Sequence, residues 1–389
     1  MFKFLLSIFV ATTSFVSQPL QNDNGWRPAW GLDRIDQRES TLNDAYNYSL
    51  TGAGVTVYVF DSGINSSHSE MLGRVKAGFS VFSDSYGAED CSGHGTHSAS
   101  LIGGSTYGVA KNVDLVPVKV LNCSNSNSSP ATLYTAVDWI LEHHQSGVPA
   151  IVNMSVGMSK SVTFEEATRA LIADGLIVVA AAGNQNSNAC SYSPASELSV
   201  ISVGATDRNE LRASYSNYGA CVDIFAPGSD LVGGWAGASN TFRSSSGTSN
   251  AAPIVSGIVA LMLQDNPSLT QSEVEQKLKE NATRDVLFNI GVNSPNLLAY
   301  SFFSATNAPP VTTTTVLTPS PNTTTTTIVA RPIVTTTTTS VPSSPTTVQF
   351  DLKCSKAAER TRFLNVPYVC VNVGNQLMWV PKKYSPAYP

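Results

Sequence analysis

The chain has 389 residues, a formal net charge of -5 and a 42% share of apolar residues, and its sequence pI is about 5.5. An acidic chain of this kind has no broad basic surface with which to displace counterions from a nucleic acid, which argues against nucleic acid as a partner. The length exceeds that of one ordinary core, and the composition changes near residue 305. These features predict one large domain followed by smaller parts.

The N-terminus is typical of a secretory signal peptide, which we predict over about residues 1–20. Lys3 precedes an apolar run from Phe4 to Val16, as in the charged and hydrophobic regions of such a signal. A membrane anchor is the alternative, but a run of about 13 residues is shorter than the roughly 20 needed to cross a bilayer. We expect export and no membrane span in the mature chain, and the sequence leaves attachment to a cell surface open.

Residues 26–304 alternate between buried-strand and helical patterns. The predicted strands are short and rich in β-branched residues: Gly54–Phe60, Asp114–Leu121, Ala150–Met154, Leu176–Ala181 and Val200–Gly204. The predicted helices lie between or after them: His97–Ile102, Ala131–His143, Thr163–Ala173, Ala251–Leu263 and Gln271–Glu280. This alternation predicts an α/β domain in which a mainly parallel sheet lies between two helical layers.

Three polar residues closely follow predicted strands, namely Asp61, Ser155 and Asn184. Parallel strands end at the same edge of a sheet, and ligands bind at that edge. We therefore expect a functional site there.

The last 85 or so residues differ from this domain in composition. Residues 305–349 are dominated by Thr with interspersed Pro and Ser, which cannot bury a core and predicts a stiff, extended linker. Residues 350–389 regain alternating apolar positions and contain Cys354, Cys370 and Trp379. About 40 residues with one disulfide predict at most a small β-rich module.

Ser249 lies immediately before a run of small residues with a helical pattern. Its hydroxyl would therefore lie at a helix N-terminus, where developing negative charge is stabilised. The simpler interpretation is a helix N-cap without catalytic function.

A histidine and an aspartate complete a candidate triad. His94 stands between two glycines just ahead of a helix, and Asp61 ends a buried strand. His94 and His97 could instead bind a metal, but no third ligand at zinc-type spacing accompanies them, so we expect His97 to be structural. Asp61 could also be a turn residue. The chain order Asp, His, Ser is nevertheless that of the subtilisin triad.

With its intervening motifs the chain resembles the subtilase family of serine proteases (peptidase S8), and within it the proteinase K and aqualysin branch. The resemblance runs from about Trp30 to Ser301 and implies a subtilisin-like fold. It rests on Trp30–Arg38, the segments around Asp61, His94 and Ser249, Tyr107–Ala110, Asn153–Ser155, Ala181–Asn184 and Asn296–Tyr300.

The resemblance implies a role for each catalytic residue. Ser249 is expected to attack the scissile carbonyl, and His94 is expected to act as general base and then as general acid. Asp61 is expected to orient His94. The Asn184 side chain and the backbone N–H of Ser249 are expected to bind the oxyanion.

In this family the substrate lies as an extended strand between two edge segments and places one side chain in a pocket. The matching residues are Gly104, Ser105, Thr106, Tyr107, Ser155, Val156, Gly157, Ala181, Ala182 and Gly183. Their small or apolar character predicts broad specificity, with apolar or aromatic side chains preferred before the cut. Ala181 taken alone could equally serve sheet packing.

The chain departs from the family pattern at four positions near the site. Asn250 replaces the usual Met after the nucleophile, Ile254 and Ser256 replace His and Ala, and Met158 replaces a glycine. None of these changes removes a catalytic group, so we expect them to affect specificity. Between the predicted signal peptide and Trp30 there is no room for the usual folding propeptide, which predicts either unaided folding or a chain that extends further upstream.

Disulfides and structural calcium are implied by the same resemblance. Aqualysin-like enzymes suggest the pairs Cys91–Cys123 and Cys190–Cys221, which leaves Cys354 for Cys370. Carboxylate and carbonyl oxygens suit calcium. One implied site comprises Asp223 and the carbonyls of Leu198 and Val200; the other comprises Asp33, Asp36 and Gln37, with Asn43 as a further candidate. For the second site, solvated or helix-capping acids are the alternative.

The predicted function is that of a secreted, monomeric serine endopeptidase that cleaves extracellular protein. The alternative is an inactive subtilase-like scaffold whose C-terminal module binds a cell surface or another protein. An intact triad together with Asn184 favours the enzyme.

Overall fold

The computed structural model describes residues 16–20, 29–126, 129–301, 360–363, 366–373 and 376–381. Contacts divide the chain into two units, Met1–Phe303 and Ser304–Pro389, and each unit is described by itself. The predicted linker and most of the predicted signal peptide lie outside the described residues.

Numbered along the chain, the strands of the first unit are β1 (Val16–Pro19), β2 (Ala45–Tyr48), β3 (Thr56–Asp61), β4 (Phe79–Ser80), β5 (Asp114–Lys119), β6 (Ala150–Met154), β7 (Met158–Ser159), β8 (Ile177–Ala181), β9 (Tyr192–Ser193), β10 (Ile201–Thr206), β11 (Ile224–Pro227), β12 (Leu231–Gly234), β13 (Phe242–Ser245), β14 (Thr283–Arg284) and β15 (Leu297–Leu298). The α-helices are α1 (Trp30–Ile35), α2 (His94–Gly103), α3 (Pro130–His143), α4 (Val162–Ala173), α5 (Thr248–Asp265) and α6 (Gln271–Asn281).

A sheet with the strand order β14-β15-β11-β10-β8-β6-β3-β5-β4 forms the centre of this unit. Its central strands are parallel, and the β14–β15 pair at one edge is antiparallel. The central strands are continuous apolar runs because a parallel sheet is covered on both faces. All five predicted strands and all five predicted helices are present, with bounds shifted by a few residues at most, so these predictions are confirmed.

The alternation of side chains along β3 shows how the helices cover the two faces. Val57 and Val59 belong to the core that also contains the apolar side chains of α2 and α5. The intervening residues point the other way: Tyr58 contacts Trp139 of α3, and Phe60 contacts Phe164 of α4. Successive strand residues face opposite sides of a sheet. The predicted three-layer α/β/α arrangement is therefore confirmed.

Several elements were not predicted from the sequence. They include α1, strands β11 and β15 of the central sheet, and the antiparallel β12–β13 pair. These segments are short, and a window of two to six residues carries little periodicity. Strand β1 pairs with β2 and falls within the predicted signal peptide, so cleavage after residue 20 would remove it.

The second unit contains three described strands, β16 (Arg360–Phe363), β17 (Val366–Val373) and β18 (Gln376–Pro381), paired in antiparallel order. A small β-rich module was predicted here. No helix within the described ranges is both long and apolar enough to cross a membrane.

Candidate active site

The site lies where three neighbouring parallel strands end. Phe60 of β3 is opposite Met154 of β6, which is opposite Ala180 of β8. Asp61 ends β3, and the segments after β6 and β8 begin the loops that carry Ser155 and Asn184. The parallel order thus places these residues at one edge, as expected.

Asp61 is fully buried, and the chain itself satisfies both of its carboxylate oxygens. Oδ1 accepts hydrogen bonds from His94 Nδ1 at 2.6 Å and from the backbone N–H of Ser62 at 2.7 Å. Oδ2 accepts one from the Ser98 hydroxyl at 2.9 Å. Ser98 lies one helical turn after His94 in α2, so one helix carries both side chains that bind this carboxylate. Asp61 can therefore hold the imidazole in one tautomer, with the proton on Nδ1.

The charge around His94 favours its protonated form. Burial acts against the imidazolium, but the carboxylates of Asp61 and Asp90 outweigh it and raise the pKa of His94 above its ordinary value of 6.5. A base whose pKa lies near the working pH is suited to proton transfer.

The glycines on either side of His94 serve close packing. A Cβ at Gly93 would lie 2.0 Å from Nε1 of Trp235, and Gly93 has a φ of +106°, which favours glycine. A Cβ at Gly95 would lie 2.1 Å from the carbonyl oxygen of Gly63. These contacts press the start of α2 against the loop that follows Asp61.

Ser249 lies in the first turn of α5, where backbone N–H groups have no partner within the helix. Pro253 in the same helix has no N–H, so the carbonyl of Ser249 loses its usual helical donor. The Ser155 hydroxyl donates to this carbonyl instead, at 3.0 Å.

Ser155 is itself held by a buried chain of hydrogen bonds. Asn153 Nδ2 donates to the Ser155 hydroxyl at 2.9 Å, and the Ser256 hydroxyl donates to Asn153 Oδ1 at 2.9 Å. The end of β6 and the start of α5 are thereby fixed to each other.

Asn184 is oriented by the residue that precedes the nucleophile. Its Oδ1 accepts hydrogen bonds from the backbone N–H of Thr248 at 2.8 Å and from the Thr248 hydroxyl at 2.9 Å. This arrangement leaves the amide nitrogen directed elsewhere. A Cβ at Gly247 would lie 2.8 Å from Ser249 Oγ and 3.4 Å from Asn184 Nδ2. The hydroxyl and the amide donor therefore border the same small space, which a glycine keeps open.

A cavity of about 320 Å³ joins these groups. The residues that line it are His94, Leu121, Asn125, Ser155, Val156, Gly157, Ala181, Ala182, Gly183, Asn184, Gln185, Tyr192, Ser193, Thr248 and Ser249. Among the described residues, no hydrogen bond joins the Ser249 hydroxyl to His94, although both line the cavity.

The other predicted substrate segment, Gly104–Tyr107, follows α2 and lies outside this cavity. Glu70, which is 3% exposed, holds it in place. The Glu70 carboxylate accepts hydrogen bonds from the backbone N–H groups of Thr106 at 2.9 Å and Tyr107 at 3.0 Å.

Sequence reasoning missed several residues of the site. Ser98 supports Asp61 and Thr248 supports Asn184, while Tyr192 and Ser193 of β9 line the cavity. The spacing of Ser98 from His94 was a usable signal, because residues four apart share a helix face. Tyr192 and Ser193 carry no local signal.

Residues 52–318 match the Subtilase family. The chain is 47% identical over 274 residues to the extracellular serine proteinase of Thermus sp. (strain Rt41A), a match that covers 70% of this chain and 66% of that protein. It is 44% identical over 276 residues to alkaline serine exoprotease A of Vibrio alginolyticus, covering 71% and 51%. The crystal structure of a cold adapted subtilisin-like serine proteinase superposes with a TM-score of 0.68 at 41% identity, covering 71% of this chain and 99% of that one. The chain belongs to the Subtilase family. Its match spans between half and two thirds of the length of these two relatives.

The four residues of this subtilase that depart from the family pattern lie in different environments. Ser256 takes part in the hydrogen-bond chain behind Ser155, and Ile254 is buried in α5. Met158 pairs with Ser193 beside the cavity. Asn250 is 1% exposed, and its Nδ2 has no hydrogen-bond partner within the described part of the chain.

Both disulfides predicted for the subtilase domain are confirmed. Cys91 and Cys123 are joined, as are Cys190 and Cys221. The first bridge anchors the loop that precedes His94. The pairing predicted for Cys354 and Cys370 lies outside the described residues and side chains.

The contacts of His97 support the structural role predicted for it. Its Nε2 lies 3.0 Å from the carbonyl oxygen of Leu231, so the ring ties α2 to β12. Burial lowers the pKa of His97 to about 4.

The cluster predicted at Asp33, Asp36 and Gln37 has one open carboxylate oxygen, which belongs to Asp36; both oxygens of Asp33 accept backbone N–H groups, from Asn43 at 3.1 Å and from Asp44 at 2.7 Å. Asp36 is 6% exposed, and its Oδ1 is buried without a hydrogen-bond partner, while Oδ2 accepts from Asn47 Nδ2 at 2.8 Å. Burial raises the pKa of Asp36 to about 6, and the neighbouring charge of Asp33 adds to the effect. Asn43 contributes a backbone N–H to Asp33 and an amide to Gln37. An open carboxylate oxygen beside a second acid is chemistry that calcium satisfies.

The site predicted at Asp223 does not fit a calcium ion. Both oxygens of Asp223 are already bound, one of them by the ammonium group of Lys279 at 2.7 Å. The other predicted ligands are the backbone carbonyls of Leu198 and Val200. The side chain of Leu198 is exposed and that of Val200 is buried. Sequence reasoning placed a cation here but did not foresee that a lysine of α6 supplies the charge.

Proposed function

We propose that this subtilase is a secreted, monomeric serine endopeptidase of broad specificity. The observation that carries the proposal is the arrangement at the ends of β3, β6 and β8. A buried Asp61 holds His94, and His94 borders one cavity with Ser249 and an oriented Asn184. These groups supply the nucleophile, base, orienting acid and oxyanion donor that acyl transfer needs.

In the first step, the Ser249 hydroxyl attacks the carbonyl carbon of the scissile peptide bond, and its proton passes to Nε2 of His94. Nδ1 of His94 carries a proton and donates a hydrogen bond to Asp61, so only Nε2 is free to accept a proton. Catalytic hydrogen bonds are often long in ligand-free enzymes and shorten in the substrate complex. The resulting imidazolium is stabilised by the Asp61 carboxylate.

The attack leaves a negative charge on the former carbonyl oxygen. Asn184 Nδ2 and the backbone N–H of Ser249 are the donors for it, because Thr248 occupies the other end of the Asn184 amide. Collapse of this intermediate breaks the C–N bond, and His94 gives its proton to the departing amine. A water molecule then hydrolyses the acyl-enzyme by the same steps, with His94 again as base.

The lining of the cavity supports a proposal for the side chain that precedes the cut. Val156, Ala181, Ala182 and Leu121 supply apolar walls, and Gly157 and Gly183 leave room at the rim. A pocket with such walls discriminates between apolar side chains only weakly, since one methylene changes binding by about 1–3 kcal/mol. We expect a broad preference for apolar or aromatic residues.

Secretion is supported by the Thermus relative, whose name includes "extracellular", and by two disulfides, which persist in oxidising compartments. We further propose that Asp33, Asp36 and Gln37 hold a structural calcium ion. Such an ion would neutralise the two carboxylates and plays no part in the reaction.

The decisive experiment measures cleavage of casein by the purified chain, with and without a covalent serine-directed inhibitor. Ser249→Ala should lower turnover by about 10⁶-fold, and the inhibitor should abolish the activity of the parent. Ser272→Ala, which changes an exposed serine of α6, is the matched control and should leave turnover unchanged. A folded parent without activity would refute the proposal and favour a catalytically inactive subtilase scaffold.

A further inference from the structure

Asp223 lies directly before β11, and both of its carboxylate oxygens have partners within the chain. Oδ2 accepts a hydrogen bond from the backbone N–H of Ser202 at 2.9 Å, and Oδ1 accepts one from Lys279 Nζ at 2.7 Å. The side chain of Asp223 is 17% exposed. This carboxylate is therefore largely withdrawn from water and already faces a positive charge.

Lys279 is held from two sides. Its ammonium group also bonds Oε1 of Glu275, one turn earlier in α6, at 2.5 Å. A calcium ion at Asp223 would have to displace this ammonium group, because two cations a few ångströms apart repel each other strongly. Displacement would also break the bond to Glu275.

The same helix reaches the segment that carries the other predicted calcium ligands. Gln271, at the first position of α6 and 7% exposed, donates from Nε2 to the carbonyl of Ser199 at 2.8 Å. It also makes two hydrogen bonds to the backbone of Val178 in β8. Ser199 stands between Leu198 and Val200. Helix α6 thus binds the 198–200 segment through Gln271 and binds Asp223 through Lys279. These two residues are about 12 Å apart along the helix axis.

We propose that α6 takes the place of a calcium ion at Asp223. Lys279 supplies the positive charge, and Gln271 fixes the 198–200 segment that the ion would otherwise tie to Asp223. The protein then needs no divalent cation here, and calcium acts at the Asp33–Asp36 cluster. The inference concerns stability and holds whether or not the proposed peptidase activity is found.

The test uses the full-length chain with Ser249→Ala, which prevents self-digestion. Bound calcium is counted by equilibrium dialysis, and the unfolding temperature is measured in excess calcium and in EDTA. Asp223→Asn should bind as many calcium ions as the parent and show the same rise in Tm on calcium addition. Lys279→Met should lower the Tm in EDTA by about 2–6 °C. It should also bind one additional calcium ion, because it exposes the Asp223 carboxylate.

Two further variants serve as controls. Glu275→Gln removes the second carboxylate but keeps the Asp223–Lys279 pair, and it should bind as many calcium ions as the parent. Lys279→Arg keeps the charge and should do the same, which provides a readout should Lys279→Met fail to fold. Loss of one calcium ion in Asp223→Asn, an additional ion in Lys279→Arg, or no additional ion in folded Lys279→Met would overturn the inference.

Discussion

Asp61 and Asp36 are both buried acids near the ends of secondary-structure elements, with exposures of 0% and 6%. The chain satisfies both oxygens of Asp61 through His94, Ser62 and Ser98. At Asp36, by contrast, Oδ1 has no hydrogen-bond partner among the described residues, and burial raises the pKa of the group to about 6. A fully paired acid can hold a neighbouring base in position. A buried acid with an open oxygen is stabilised by a proton or by a cation.

The sharpest test of this comparison replaces each acid by its amide. Asp61→Asn should lower kcat by about 10⁴-fold, because an amide favours the wrong tautomer of His94. Asp36→Asn should leave kcat on a peptide substrate within about twofold of the parent when both are assayed well below their Tm. Comparable losses of kcat in the two variants would contradict the division of roles between the two acids.

The next largest effect concerns the oxyanion donor. Asn184→Ala should lower kcat by about 100- to 1,000-fold with little change in KM, since the donor acts mainly in the transition state. Thr248→Val keeps the shape but removes the hydroxyl that orients Asn184, and it should cost about fivefold, the effect of one neutral hydrogen bond. A larger loss in Thr248→Val than in Asn184→Ala would argue against Asn184 as the donor.

The pH dependence of kcat/KM reports the pKa of His94, which depends on the neighbouring Asp61 carboxylate. His94 can accept a proton only when neutral, and the Asp61 and Asp90 carboxylates raise its pKa above 6.5 against the effect of burial. Activity should therefore fall as the pH drops, about tenfold per pH unit below a midpoint that lies above 6.5. An NMR titration of His94 in Ser249→Ala should give a midpoint on the same side of 6.5. A midpoint below 6.5 in both measurements would mean that burial dominates.

The smallest expected effect concerns Asp36, the acid whose Oδ1 has no hydrogen-bond partner among the described residues. In EDTA, folded Asp36 keeps a proton up to a pH of about 6, whereas the unfolded chain releases it near 3.8. The folded state thus binds more protons between these values, and this group lowers stability as the pH rises through them. Calcium should oppose the loss and raise the Tm at pH 7 by about 3–8 °C. Asp36→Asn should remove both the pH dependence and the response to calcium, as thermal unfolding would show; an unchanged calcium response would place the ion elsewhere.

Much of the site could be predicted from the sequence, for identifiable reasons. The runs that form β3, β6 and β8 are apolar enough to specify a buried parallel sheet, and Asp61, Ser155 and Asn184 follow those strands. Ser249 lies in the first turn of a helix of small residues, and the partner of its carbonyl could not be predicted from the local pattern. The partner is the Ser155 hydroxyl, which reaches this carbonyl because Pro253 has no N–H to donate.

The sequence by itself determined the central strands and helices and, through resemblance to the subtilases, the two confirmed disulfides, because each depends on a local pattern or a specific motif. Only the tertiary structure decided which polar groups meet. Thr248 meets Asn184 across a separation of 64 residues, and Ser193 joins the cavity lining on β9, which pairs with β7. The pairing of Asp223 with Lys279 likewise depends on how α6 packs beside β11. Side-chain partners across such distances leave no periodic signal, since they depend on the three-dimensional placement of whole elements.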